Sequence, residues 1–364
     1  MRNFGFIVIF LFVFGGCKSD SKKTPLLKPN IQWQKNQYAQ LFKIGTLHGD
    51  TFLEVFMDTN TCIGRFFWGK SSIHNGYSKI NETKRIVSLT AIFSRFIWAI
   101  NKQQHIVAVD NLKYHCSETF SPSQKVISVN PLGNVNVEQI MKVKPDITFA
   151  YYISEQDKKQ LERLNSETHS IIFIQNHLEV HPLARAEWIR VFGVIFHQSK
   201  MADSLFTVIS KNYNNLKKTT SNGSMVMINL PYSGVWMVPS RKNLMTTLIT
   251  DAGATPAWLN KNSPNDVNSF QLGIEEAVIA LKKSTIWIHP GVCDSKSCIK
   301  KIEKRIPNAV FDHISCYQND KKIESTGANP YWDYGALRPD FLLKDLTRLF
   351  QSHSEDVYFY RKIE

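Results

Sequence analysis

No catalytic signature is assembled anywhere in this 364-residue chain. There is no GxSxG elbow, no HExxH and no GxGxxG after a strand-like run. These absences argue against the common serine-hydrolase, zinc-protease and dinucleotide chemistries, and no catalytic residue is assigned. The eleven histidines are dispersed. Three or four His, Asp or Glu ligands cannot be gathered at strand ends, so neither a metal site nor a cofactor is expected. Apolar runs are short: beyond residue 14 none approaches the roughly 20 residues that a spanning helix needs. No short-period repeat is visible. Acidic residues are outnumbered, 31 against 44 basic ones, for a formal charge of +13. The lysines are scattered and not striped, which argues against nucleic acid; the basic balance fits a solvated surface as well as an anionic lipid or ligand. Cysteine is scarce too. Apart from Cys17 there are Cys62, Cys116, Cys293, Cys298 and Cys316. One pair among the last three is expected, with the connectivity open.

What is present begins with the leader. Met1-Arg2-Asn3 is a short basic start, Phe4 to Phe14 is almost wholly apolar, and Gly15-Gly16 stand directly before Cys17. That is a secretory signal too short to span, and its end looks like a bacterial lipobox whose cysteine is acylated. Residues 1–17 are therefore expected to be signal peptide plus lipidated Cys17. Residues 18–31, rich in Lys, Ser, Pro and Thr, should form a flexible tether. The protein is expected to be held at a membrane, not to cross one.

The remaining chain, of the order of 330 residues, is long for a single core. Residues 32–84 alternate apolar and polar positions, most clearly over Thr51–Met57, and predict a small β appendage. Residues 85–181 then alternate short buried strands (Arg85–Leu89, Ile106–Val109, Val126–Val129, Ile147–Ala150, His169–Ile174) with helices. One of these helices starts at Asn136, with Gln139 three residues on as in a capping box. From Pro182 to Lys218 apolar residues recur at steps of three and four. The stripe of about thirty residues from Trp188 predicts one helix, roughly 45 Å long at 1.5 Å per residue, linking two lobes. The alternation resumes over 219–364, with strands at Met225–Ile228, Gly234–Val238 and Thr285–Ile288 and helices at Leu244–Ala252, Ile274–Leu281 and Phe341–Phe350. The expected fold is α/β: two lobes with parallel-type sheets, one long linking helix and the N-terminal β appendage.

In open α/β sheets ligands sit beyond the carboxyl ends of strands. Aromatic and basic residues stand there: Thr90, Tyr114, Tyr151, Trp236, Arg241, Tyr331, Trp332 and Arg338 are the candidate ligand-binding residues. Such a lining suits a planar, partly anionic ligand through stacking, cation–π contact and charge. Arg185 and Glu187 read as helix-start structure.

Taken in order, these runs resemble the ABC-transporter substrate-binding proteins of the iron–siderophore and cobalamin class. The resemblance is carried by Arg85-Ile-Val-Ser-Leu-Thr90, by Asn136-Val-Glu138-Gln-Ile-Met-Lys-Val-Lys-Pro145-Asp146-Ile and by Gly273-Ile-Glu-Glu276-Ala-Val-Ile-Ala-Leu. Arg185-Ala-Glu187-Trp188, Asn329-Pro-Tyr331-Trp332-Asp-Tyr-Gly335-Ala-Leu-Arg338-Pro339-Asp340 and the appendage are similar to Bacteroidetes-type members. The resemblance implies capture of an iron complex, a ferric siderophore or haem, in an inter-lobe cleft, and delivery to an inner-membrane ABC permease and its ATPase. Cobalamin is the alternative ligand. A chelatase-like enzyme is the rival from another class, with His289 its one faint candidate. The resemblance further implies a monomer at the periplasmic side of a membrane that docks its permease through Glu138 and Glu276, with Glu275 an adjacent competitor.

Overall fold

A computed structural model describes residues 30–130, 136–166, 168–265, 267–351 and 356–364. The signal, Cys17 and the tether up to residue 29 lie outside these described residues. Five strands form the first sheet, in the order β1-β2-β3-β4-β5: β1 Gln32–Trp33, β2 Phe42–Leu47, β3 Asp50–Phe56, β4 Cys62–Trp68 and β5 Ser78–Lys79. β1 to β4 pair antiparallel, and β5 joins β4 in parallel. One face carries Phe42, Ile44, Leu53, Val55 and Phe66 into the main core, while Phe52 and Phe67 pack on the other with Ile31.

The second sheet is parallel throughout, in the order β10-β9-β6-β7-β8. Its strands are β6 Ile86–Ser88, β7 Ile106–Val109, β8 Ile127–Ser128, β9 Ile147–Ala150 and β10 Ser170–Phe173. The helices α1 Ala91–Ala99, α2 Val137–Lys142 and α3 Glu155–Glu162 accompany them. β9 is buried at all four positions, the reason a parallel-sheet strand reads as an unbroken apolar run. Asn136 accepts the Gln139 N–H at 3.1 Å, half of the anticipated box.

The linking segment corrects the sequence reading. The single helix expected over 182–218 is three: α4 Pro182–Glu187, α5 Ile189–Ile195 and α6 Ser199–Leu216. α5 is buried nearly all round, so its apolar spacing does not mark one face of a long rod. The chain breaks at His197, in the left-handed region at φ 55°, and α6 folds back on α5. The crossing is close: a Cβ on Gly193 would stand 2.5 Å from that of Ala202.

The third sheet runs β13-β11-β15-β16-β17. It contains β11 Met225–Ile228, β13 Thr255–Pro256, β15 Ile286–Ile288, β16 Ser315–Gln318 and the antiparallel edge β17 Arg361–Ile363. β12 Trp236–Pro239 leaves that sheet to form a hairpin-like pair with β14 Ser269–Leu272. Around them lie α7 Leu244–Asp251, α8 Ile274–Lys283, α9 Lys296–Ile302, α10 Asn308–His313, α11 Pro330–Leu337 and α12 Pro339–Phe350. Cys293 and Cys298 form a disulfide, leaving Cys62, Cys116 and Cys316 free.

Two buried carboxylates lock the appendage to the linking segment. Glu187 accepts the N–H groups of Gln37, Tyr38 and Ala39 at 2.7–2.8 Å. Glu179 accepts those of Gln40 and Leu41 at 3.0 Å, and the Trp188 indole N–H at 3.2 Å. A loop whose five successive N–H groups would otherwise be orphaned is thereby satisfied.

Candidate functional site

Two strand ends turn sharply into one cavity. Asn229, just after β11, and His289, just after β15, both adopt left-handed backbone, at φ 62° and 55°. Few non-glycine residues do so. The Asn229 carbonyl accepts the Trp287 indole N–H at 2.7 Å, and its amide donates to the Met237 carbonyl at 2.9 Å. The cavity they border holds about 500 Å³, within the usual range for a small-molecule site. Leu244, Met245, Leu248 and Leu342 give it apolar walls. His177, Arg185, Lys242, Tyr331 and Trp332 supply the polar and aromatic lining.

α11 is the wall that shapes this space. Asn329 caps it, accepting the Tyr331 N–H at 3.1 Å, and Pro330 opens it. Tyr331, Asp333, Gly335, Ala336 and Leu337 are buried, whereas Trp332 is 62% exposed and faces the opening. Tyr331 stands edge-on to His289 at 5.3 Å and to Trp332 at 4.9 Å. His289 stacks on Tyr360, and its Nε2 lies 3.0 Å from that hydroxyl. No carboxylate pairs with it among the described residues. Burial holds the His289 imidazole neutral, down to about 3, and lifts the Tyr331 phenol to about 12.

α11 also ties the lobes together. Arg95 of α1 is wholly buried and meets Asp333 through Nε and Nη2, each at 3.0 Å. Its Nη1 donates to Glu118 at 2.8 Å. The Trp98 and Tyr334 rings flank the guanidinium at 4.9 and 5.4 Å. Beside this pair, Glu324 accepts the Ser117 N–H at 3.0 Å and its hydroxyl at 3.1 Å.

Of the residues singled out in the sequence, Tyr331 and Trp332 line the cavity. Tyr151 stands next to it, its ring 5.3 Å from that of His177. Thr90 instead caps α1, accepting the Ile92 N–H, and Tyr114 is exposed away from the cavity. Trp236 is 1% exposed and spends its indole N–H on the Ile228 carbonyl, so it is core. Arg241 donates to the Asn260 carbonyl on the surface.

The two arginines exchange the roles read from the sequence. Arg338 forks onto Asp340 at 2.7 and 2.8 Å and covers Phe341, a structural use. Arg185 borders the cavity, with Nε and Nη2 held by the carbonyls of Asn176 and His177 at 3.3 and 3.0 Å. Burial draws it down to about 10. Glu187 is structural, as read.

Glu138 and Glu276 lie exposed in the first turns of α2 and α8. Glu276 also accepts the Gly273 N–H at 3.3 Å. His177 and His181 stand four apart, a spacing that sequence inspection passed over. They belong to different elements, however, and the His181 Nδ1 accepts the Leu183 N–H at 3.1 Å. Among the described residues no group of three metal-capable side chains occurs, and no helix is long and apolar enough to cross a membrane.

The family model described as periplasmic binding protein matches residues 86–289. An uncharacterized lipoprotein of Methanocaldococcus jannaschii is 19% identical over 294 residues, covering 78% of this chain and 69% of that one. Among solved structures, a periplasmic binding protein from Veillonella parvula aligns at TM-score 0.55 and 14% identity, over 82% of this chain and 96% of its own. The periplasmic heme binding protein HutB of Vibrio cholerae aligns at TM-score 0.53 and 17% identity, over 71% and 98%. A periplasmic heme binding protein from Pseudomonas aeruginosa aligns at 0.53 and 12%, over 78% and 98%. At these identities the likeness is one of fold.

Proposed function

The chain belongs to the periplasmic binding protein family, and from that premise we propose that it captures an iron complex, a ferric siderophore or haem, for an ABC importer. The observation that carries the reading is the cavity at the carboxyl ends of β11 and β15, walled by α11 with its aromatic pair Tyr331 and Trp332. A flat aromatic face beside apolar walls and a few polar groups suits a planar or chelated ligand. The bound protein then presents its ligand to a membrane permease and its ATPase, docking through Glu138 and Glu276 on the exposed first turns of α2 and α8. Acylated Cys17 would hold it at the membrane surface outside the cytoplasm. Changing Cys17 to Ala should therefore move the protein from the membrane fraction into the soluble one.

Trp332 gives the test its signal. The detergent-solubilised full chain is titrated with ferric siderophores, haem and cobalamin while tryptophan emission is followed. The reading expects saturable quenching by one iron complex at micromolar affinity or tighter, with most of it lost on Trp332→Phe. Saturation by cobalamin alone would replace iron with a corrinoid as cargo, and no saturation by any of them would remove the proposal.

A further inference from the structure

Among the described residues, every arginine that is not exposed has a carboxylate within ion-pairing distance except Arg185. Its two carbonyl partners orient the guanidinium without neutralising it. A cation held in a half-buried wall with no carboxylate at ion-pairing distance among the described residues is incompletely compensated and attracts an anion when one enters. The rest of the lining deepens the imbalance. Lys242 stands exposed at the same cavity, while Glu179 directs its oxygens to the Gln40, Leu41 and Trp188 N–H groups. His177 and His289 are both neutral at physiological pH, drawn down by burial to about 4 and about 3.

We propose that Arg185 and Lys242 form an oxyanion subsite within the cavity, so that the captured complex presents deprotonated oxygen groups, carboxylate or phenolate, to them. This inference rests on the reading of the cavity as the capture site. Arg185 supplies the fixed, planar contact, and Lys242 the mobile one at the rim. The subsite selects iron complexes of net negative charge over neutral or cationic ones.

The test compares three probes on the detergent-solubilised full chain: ferric citrate, a ferric tris-catecholate and a ferric trihydroxamate without negative charge. The anionic complexes should bind about tenfold or more tightly than the trihydroxamate, with affinity falling as salt rises. Arg185→Gln and Lys242→Glu should each weaken the anionic probes by about tenfold and the trihydroxamate by clearly less, so that the preference for anionic complexes narrows. Arg185→Lys should fall between wild type and Gln. Lys242 is exposed and makes no side-chain hydrogen bond or ion pair among the described residues, so Lys242→Glu tests the idea even if Arg185→Gln fails to fold. Equal or tighter binding of the trihydroxamate, or unaltered anionic binding by a folded Lys242→Glu, overturns the subsite while leaving iron capture standing. Absence of binding by every iron complex overturns the functional reading and this inference together.

Discussion

Removing the Asp333 carboxylate is the sharpest probe of how the lobes are held. Arg95 is 0% exposed and Asp333 2%, and the pair joins α1 to α11 across the lobes through two contacts of 3.0 Å. In Asp333→Ala the buried guanidinium keeps only Glu118, more than half exposed, and the two flanking rings. Breaking one side of a buried pair costs about 3–5 kcal/mol, and the remaining Glu118 contact places this case near 3 kcal/mol. For a chain of this size, at about 2 °C per kcal/mol, melting should fall by roughly 6 °C. Circular dichroism melts measure it, and hydrogen exchange should rise selectively in α11. The cycle is closed with Arg95→Met and the double variant Arg95→Met/Asp333→Leu, which should recover most of the loss because no charge is stranded. A loss under about 1 kcal/mol for Asp333→Ala, or a double variant worse than the single one, would refute the reasoning.

Other perturbations have equally definite outcomes. Glu187→Ala strands the Gln37, Tyr38 and Ala39 N–H groups, so proteases should cut the appendage first, at a stability loss of about 3 kcal/mol or more; an appendage as resistant as wild type would contradict this. His289 is neutral in the fold down to about 3, whereas the unfolded chain takes up its proton near 6.5. Its contribution is complete above that pH and lost progressively below it, so His289→Asn should flatten the fall in urea midpoint between pH 8 and pH 5. Lysine at both Glu138 and Glu276 should abolish transport in cells and leave ligand affinity in vitro intact. Because Glu276 also caps α8, Glu276→Gln, which keeps a cap acceptor while removing the charge, serves as the control for the cap.

The sheet was legible because parallel strands buried on both faces leave continuous apolar runs. Ile106–Val109, Ile147–Ala150 and Met225–Ile228 fall on the expected residues. β12 carries the same kind of run but pairs outside that sheet, a choice made by register with β14 some thirty residues on. α11 was read as a motif and not as a helix, since its aromatic residues and Gly335 give it no apolar face to detect. The arginines show the limit most clearly. The partner of Arg338 sits two residues away and was visible in the sequence. That Arg185 has none among the described residues depends on everything packed around it, which no local pattern reports.

The anchoring of residues 37–41 on Glu179 and Glu187 also sets an order of events. The bonded positions lie 138 to 150 residues apart in the chain. As the chain is synthesised, amino end first, the appendage emerges long before its acceptors do. Those five N–H groups stay with water until the second sheet and the start of the linking segment have followed. An early part of the emerging chain can thus complete its hydrogen bonding only after residues made well over a hundred positions later have arrived.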